Sequence, residues 1–236
     1  MLGFYTMGIR ENLAAVREKI FKAAARAGRN PQDIKLVAVT KTIELPEIIE
    51  AAKTGVTIFG ENRVQEAKEK ITEFRAQNTD LKIEWHLIGH LQKNKTKYAV
   101  GLFDLIQTID SPGLAEEVNK QAEKAGKTQR ALMQVKISEE ATKHGVPEKD
   151  MMELAYRISG MNNLKLEGLM TMTPYFEDAE KARPYFERLR EIRDEAEKRG
   201  FKLPELSMGM SHDFDIAVEE GATMVRVGTA IFGERG

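Results

Sequence analysis

The chain lacks cysteine altogether and carries a single tryptophan. That excludes a disulfide framework, thiolate metal sites and a cysteine nucleophile, and it agrees with a cytoplasmic setting. A charge surplus is also missing: 36 Lys and Arg stand against 37 Asp and Glu, a formal net charge of -1. Such a balance gives no global attraction for nucleic acid or an anionic membrane, so neither is expected as a partner. No apolar run is long enough to span a bilayer. Residues 1–8 are apolar, but no basic region precedes them and Arg10 and Glu11 follow too soon for a signal peptide. Linker-like breaks and low-complexity segments are absent too, so one domain over 1–236 is expected.

What is present is a regular alternation. Ile9, Leu13, Val16, Ile20, Phe21 and Ala24 recur at helical spacing, predicting an amphipathic helix that ends near Gly28. The continuous apolar run over 34–40 reads as a strand buried on both faces. Further strands are expected over 56–60, 83–88, 105–109, 131–137, 166–172, 206–210 and within 224–232. Helices are expected between them: one opened by Pro46, one carrying Val64, Ala67, Ile71 and Phe74, one over 91–98, one capped by Ser111 with Pro112 in its first turn, one near Pro147, one over 177–199 and one over 213–220. Pro184 lies inside the 177–199 pattern and predicts a kink or a late start. Eight strands alternating with helices predict a single (β/α)8 TIM-like barrel in helix-first order, the first helix filling the gap after the last strand. An open doubly wound sheet is the alternative. Its dinucleotide-binding form wants a Gly-rich turn after the first strand, and Thr40-Lys41-Thr42 is not one.

Lys41 falls where the first strand ends, and the carboxyl ends of parallel strands are where ligands bind. Taken alone, it reads as a surface lysine after a strand. The loops after strands seven and eight carry Gly209-Met210-Ser211 and Gly228-Thr229, with backbone amides and hydroxyls suited to a phosphate. Either pair taken singly also reads as turn glycines and helix caps. Arg226 occupies a strand interior on the same face as Met224 and Gly228, so it points into a confined site and needs either a carboxylate or a ligand as partner. An imine-forming lysine, a phosphate cradle and an inward arginine are together what pyridoxal 5′-phosphate (PLP) requires. An apolar strand end and a nearby cation would favour the reactive neutral amine. An arginine can donate to the pyridine nitrogen but not protonate it, which makes the cofactor a weak electron sink.

At these residues the chain resembles the pyridoxal phosphate homeostasis proteins. The matching segments are V-A-V-T-K (37–41), F-G-E-N-R-V-Q-E (59–66), W-H-L-I-G-H-L-Q-K-N-K (85–95), G-L-M-T-M (168–172), L-S-M-G-M-S (206–211) and V-R-V-G-T-A-I-F-G (225–233). The resemblance implies a barrel similar to the N-terminal domain of alanine racemase, with PLP on Lys41 as a Schiff base. It also implies phosphate held around Met210, Ser211, Gly228 and Thr229, Arg226 at the pyridine nitrogen and Asn62 near the cofactor. His90 stands where relatives often have proline, and His212 where an acidic residue is common. The implied role is intracellular vitamin B6 and amino-acid homeostasis by a monomer that holds PLP without robust catalysis and passes it to PLP-dependent apoenzymes.

The alternative is a small PLP-dependent amino-acid racemase, which needs acid/base groups on both faces of the substrate carbon. The chain is expected to end before a second domain could supply the opposing tyrosine. Tyr98, Tyr156 and Tyr185 fall on expected helices and Tyr5 near the terminus, leaving Tyr175, with His86 and His90 as other conceivable bases. A Schiff-base aldolase would use Lys41 but give Arg226 no particular role. No metal site is expected. Lys93, Lys95 and Lys97 read as a solvated basic face or a docking point for an acidic partner, and the segment over 140–145 as a rim or lid.

Overall fold

The structure, a computed structural model, describes residues 8–78, 80–137 and 144–233. The chain opens with α1 (Ile9–Arg26), after which the strand-helix alternation begins. The strands are β1 (Lys35–Val39), β2 (Ile58–Glu61), β3 (Glu84–Leu87), β4 (Leu105–Ile109), β5 (Gln129–Lys136), β6 (Leu164–Met170), β7 (Glu205–Ser207) and β8 (Met224–Val227). Between and after them lie α2 (Leu45–Lys53), α3 (Val64–Gln77), α4 (Thr96–Leu102), α5 (Pro112–Lys124), α6 (Glu148–Ser159), α7 (Arg183–Lys198), α8 (Phe214–Glu219) and α9 (Thr229–Phe232). Every neighbouring pair in this series is parallel. Pairing of β1 with β8, Lys35 opposite Met224 and Val37 opposite Arg226, closes the ring. The expected helix-first barrel is therefore the observed fold.

The barrel encloses a small apolar layer of Val37, Leu105, Leu132, Met170 and Met224. A far larger cluster lies outside, between strands and helices. On one side of it Phe59, Phe74 and Trp85 pack together, with the Trp85 ring centroid 5.3 Å from Phe59 and 5.6 Å from Phe74. Charges ring the floor, at the amino ends of the strands: Arg130 pairs with Glu84 and Glu167, and Lys35 with Glu205. The polar mouth is thus left at the opposite, carboxyl end.

Several boundaries moved. Leu91 is buried but lies outside any helix, and a 3-10 turn over Lys93–Lys95 delays α4 to Thr96. Pro184 enforces the late start: α7 begins at Arg183, after a separate 3-10 turn over Ala179–Ala182. Ser111 occupies the N-cap of α5 but makes no side-chain cap hydrogen bond. Phe21, expected on the buried stripe of α1, is 58% exposed, because Ile20 and Ala24 already define the covered face. The last strand does have a helix after it, the four-residue α9, and α1 packs against it: Asn12 Nδ2 donates to Ile231 O at 2.9 Å. Most of the proposed 140–145 rim, and Tyr5, lie outside the described residues.

Candidate functional site

Strand alternation decides what reaches the barrel mouth. Val37 faces the interior, Val39 lines the cavity above it, and Lys41, two positions further on, lines the same cavity. The turn at Lys41 is unusual in its neighbour. Thr42 has φ 61°, a left-handed backbone that a β-branched residue rarely adopts. Its N–H donates to Glu66 Oε1 at 2.6 Å, and on the other side of Lys41 the Thr40 hydroxyl donates to Glu61 Oε1 at 2.7 Å. Lys70 Nζ joins the two carboxylates to the Thr40 carbonyl, at 2.9 Å from Glu61, 3.1 Å from Glu66 and 2.7 Å from Thr40 O. The backbone around Lys41 is therefore clamped from β2 and α3.

On the other side of the cavity, Ser211 bridges the loops after β7 and β8. Its Oγ accepts from Gly228 N at 3.1 Å and Ala230 N at 3.4 Å. Gly209 has φ 88°, and a Cβ there would stand 2.5 Å from Ala217 Cβ, so only glycine lets this loop lie against α8. Met210 lines the cavity, but its N–H is engaged by Asp213 Oδ1 at 2.6 Å. Gly89 has a similar role to Gly209: a Cβ would meet Asn62 O at 2.1 Å, so the β3 loop can press Asn62 toward the cavity only without a side chain.

Arg226 does point inward. Nη1 donates to Ser207 Oγ at 2.7 Å and Nη2 to the Thr171 carbonyl at 2.8 Å. Burial pushes its pKa down to about 10, with the charge of Asp213 opposing, so it remains a cation at neutral pH. Two of a guanidinium's five N–H donors are used by these bonds, and Arg226 lines the cavity. The chain of donors continues downward. Ser207 Oγ donates to Gln107 Oε1 at 2.6 Å, and Gln107 Nε2 lies 3.0 Å from His86 Nδ1. His86 Nε2 lies 3.3 Å from Glu84 Oε2, which also accepts from Arg130 Nη1 at 2.9 Å. An amide N–H facing Nδ1 makes that nitrogen the acceptor and gives the proton to Nε2. Burial keeps His86 neutral by lowering its pKa, while the His86 hydrogen bond and Arg130 hold Glu84 at about 2.

Lys41, Asn62, Met210, Ser211, Arg226, Gly228 and Thr229 all line one cavity of about 570 Å³. His90, His212 and Tyr175 lie on its rim; the Tyr175 ring is 5.3 Å from that of His212 and the residue is 77% exposed. His86 does not reach this cavity, which removes it as a base there. Tyr98 and Tyr156 are exposed on outer helices, away from the mouth. Lys93 and Lys97 are exposed, as a solvated face requires. Thr171, Ser207, Gln107, Asp213 and the Glu61-Lys70 pair were not legible as site residues. For Ser207, Gln107 and Glu61 a polar residue within an apolar strand was the one visible signal; Thr171, Asp213 and Lys70 lie outside the strands and offered none.

Volume and donor set fit a small phosphorylated aldehyde: the Lys41 amine, the Ser211 and Thr229 hydroxyls, with Ser211 Oγ standing at the Gly228 and Ala230 amides, and the Arg226 cation all line the cavity. Comparison with known proteins leads to the same class. The family described as alanine racemase, N-terminal domain, matches residues 12–236, and the barrel is of that class. The pyridoxal phosphate homeostasis protein of Aquifex aeolicus (strain VF5) is 46% identical over 231 residues, covering 97% of this chain and 99% of that protein. That of Vibrio alginolyticus is 40% identical over 227 residues, covering 96% and 97%. The chain belongs to the pyridoxal phosphate homeostasis protein family. Among solved structures, PipY of Synechococcus elongatus PCC7942 with PLP bound is 37% identical, with a TM-score of 0.83 over 95% of this chain and 100% of that one.

Proposed function

We propose that this protein holds PLP covalently through Lys41 and serves PLP and amino-acid homeostasis rather than a committed reaction. The observation that carries this is the convergence of Lys41, Arg226 and the Ser211-Gly228-Thr229 wall on one cavity. When bound, the cofactor supplies an aldehyde for attachment and a ring able to withdraw electrons. Lys41 provides the attaching amine from a clamped turn. Ser211, Gly228 and Thr229 face the phosphate, with Met210 and Asn62 completing the walls. Arg226, still a cation, donates toward the ring nitrogen without giving up a proton, which keeps the ring a weak electron sink.

The same reading has the chain act as a cytoplasmic monomer that releases its cofactor to PLP-dependent apoenzymes. Tyr175, the tyrosine at the mouth, is largely exposed, which suits release better than sealed retention of an intermediate. Purified protein is expected to show a PLP chromophore that borohydride fixes to the peptide bearing Lys41. Lys41→Ala should lose both chromophore and adduct. A wild-type protein that stays colourless after reconstitution, or an adduct on another lysine, contradicts the assignment. A racemase reading would need Lys41-dependent exchange of an amino acid's α-proton in deuterated water.

A further inference from the structure

Three side chains at the rim of the barrel mouth take no part in the scheme above. His90 follows β3, Asp110 follows β4, and His144 lies just before the two-residue pairing of Val146–Pro147 with β5. One ligand atom from each lies within 4.8 Å of the other two. His90 Nδ1 is 3.4 Å from Asp110 Oδ2, and the His90 and His144 rings stack with centroids 3.8 Å apart and 10° between planes. We infer that His90, Asp110 and His144 form a binding site for a borderline divalent transition-metal ion such as Zn2+.

The donor set selects the ion. Two imidazoles and one carboxylate match Zn2+ and its neighbours, whereas Mg2+ and Ca2+ prefer oxygen ligands throughout. Three protein ligands leave a position for water or an exogenous ligand, the open form of such a site. In the stack the two rings' in-plane lone pairs lie in nearly parallel planes, so at least one ring must turn out of it for both to reach one ion. The backbone is already held for it. Thr108 Oγ1 donates to Gly89 O at 2.9 Å, fixing the residue before His90 beside β4, the strand that Asp110 follows. Gln134 Nε2 donates to His144 O at 2.9 Å, fixing the third ligand to β5. Ligand atoms around a tetrahedral ion at bond lengths of about 2.1 Å stand roughly 3.4 Å apart. The triangle must therefore contract, and the exposed rings of His90 and His144 can rotate with little packing to disturb. Such an ion would tie the loops after β3, β4 and β5 together over the cavity. None of this depends on PLP occupying that cavity.

Calorimetric titration of Zn2+ into the full chain, after chelator treatment, is expected to show one saturable site per chain that Mg2+ does not fill. His90→Ala and His144→Ala should each weaken it by about tenfold or more, since even losing an outer-shell partner of a metal ligand costs about 10–100-fold. His212→Ala, which alters another rim histidine, should leave it unchanged. Cu2+ in the wild type should show electron paramagnetic coupling to two imidazole nitrogens, and to one in each of the first two variants. Thermal unfolding without metal identifies any variant that fails to fold, in which case His90→Gln or His144→Gln replaces it. Absence of saturable Zn2+ binding, a loss smaller than tenfold in the His90 and His144 variants, or an equal loss in His212→Ala overturns the site.

Discussion

Glu61 has no exposed surface, yet only one of its carboxylate oxygens is satisfied. Oε1 takes Thr40 and Lys70, while Oε2 is buried without a hydrogen-bond partner among the described residues. Burial raises its pKa above the ordinary 4.5, and the bonds from Thr40 and Lys70 oppose the shift without cancelling it. Between 4.5 and the raised value the folded chain keeps a proton that the unfolded chain has released, so stability contributed here falls as pH rises through that window. Glu61→Gln preserves shape and removes the titration. Denaturant unfolding of both proteins across the window should show the wild type losing stability, relative to the variant, with rising pH; a flat or opposite difference refutes the burial argument. What such a residue gains is position. Through Lys70 and Glu66 it holds both neighbours of Lys41, and with them the left-handed turn at Thr42. Lys41 itself was legible because a lysine after an apolar run is visible in one dimension. Its clamp was not, since Glu61 and Lys70 read as ordinary charges until β2 and α3 are folded against β1.

At the scale of elements, the barrel interior carries a polar line from mouth to floor, and every link except His86–Glu84, within β3, joins different strands: β8 to β7, β7 to β4, β4 to β3, and β3 to β5. Ser207 and Gln107 are 100 positions apart. Periodicity gave the strands and the inward face of Arg226, because both depend only on neighbours along the chain. The line depends on which strand lies opposite which, and no local pattern holds that information. The same limit explains α4, where buried Leu91 imitates a helix position although the chain there is still leaving β3. His86 gives the line a test. Its pKa lies below the ordinary 6.5 because burial disfavours the charged ring. Unfolding exposes a ring that protonates more readily, so its contribution to stability is present above 6.5 and is lost as pH falls below it. Replacing His86 by Gln should flatten the fall in stability between about pH 7 and pH 5 relative to wild type. Glu84 is held at about 2 chiefly by the hydrogen bond from His86, so Glu84→Gln, alone and combined with His86→Gln, separates its titration from that of the ring. An unchanged profile would mean that His86 is not kept neutral by the fold.

The whole molecule is a ring whose last seam is β1 against β8, and α1 covers the elements on that side. Its Leu13, Val16, Ile20, Ala23 and Ala24 are buried, and Asn12 reaches the carbonyl of Ile231 in α9. An open parallel sheet would leave two edges of unpaired backbone; closure removes them, but only if this seam holds. The seam should therefore be part of a single cooperative unit rather than a detachable flap. Leu13 is 1% exposed, and Leu13→Ala is expected to cost about 2–5 kcal/mol, the range for deleting a buried leucine side chain. The only tryptophan, Trp85, lies on β3, away from α1, packed among Phe59 and Phe74. If closure couples the ring, Trp85 fluorescence and far-ultraviolet circular dichroism should shift to lower denaturant together in Leu13→Ala, with coincident midpoints. A Trp85 midpoint that stays at its wild-type value while the dichroism shifts would show that α1 and the β1-β8 seam unfold on their own. The cavity would then open from the side on which Lys41 and Arg226 stand, because Lys41 follows one of the two strands that the seam joins and Arg226 belongs to the other.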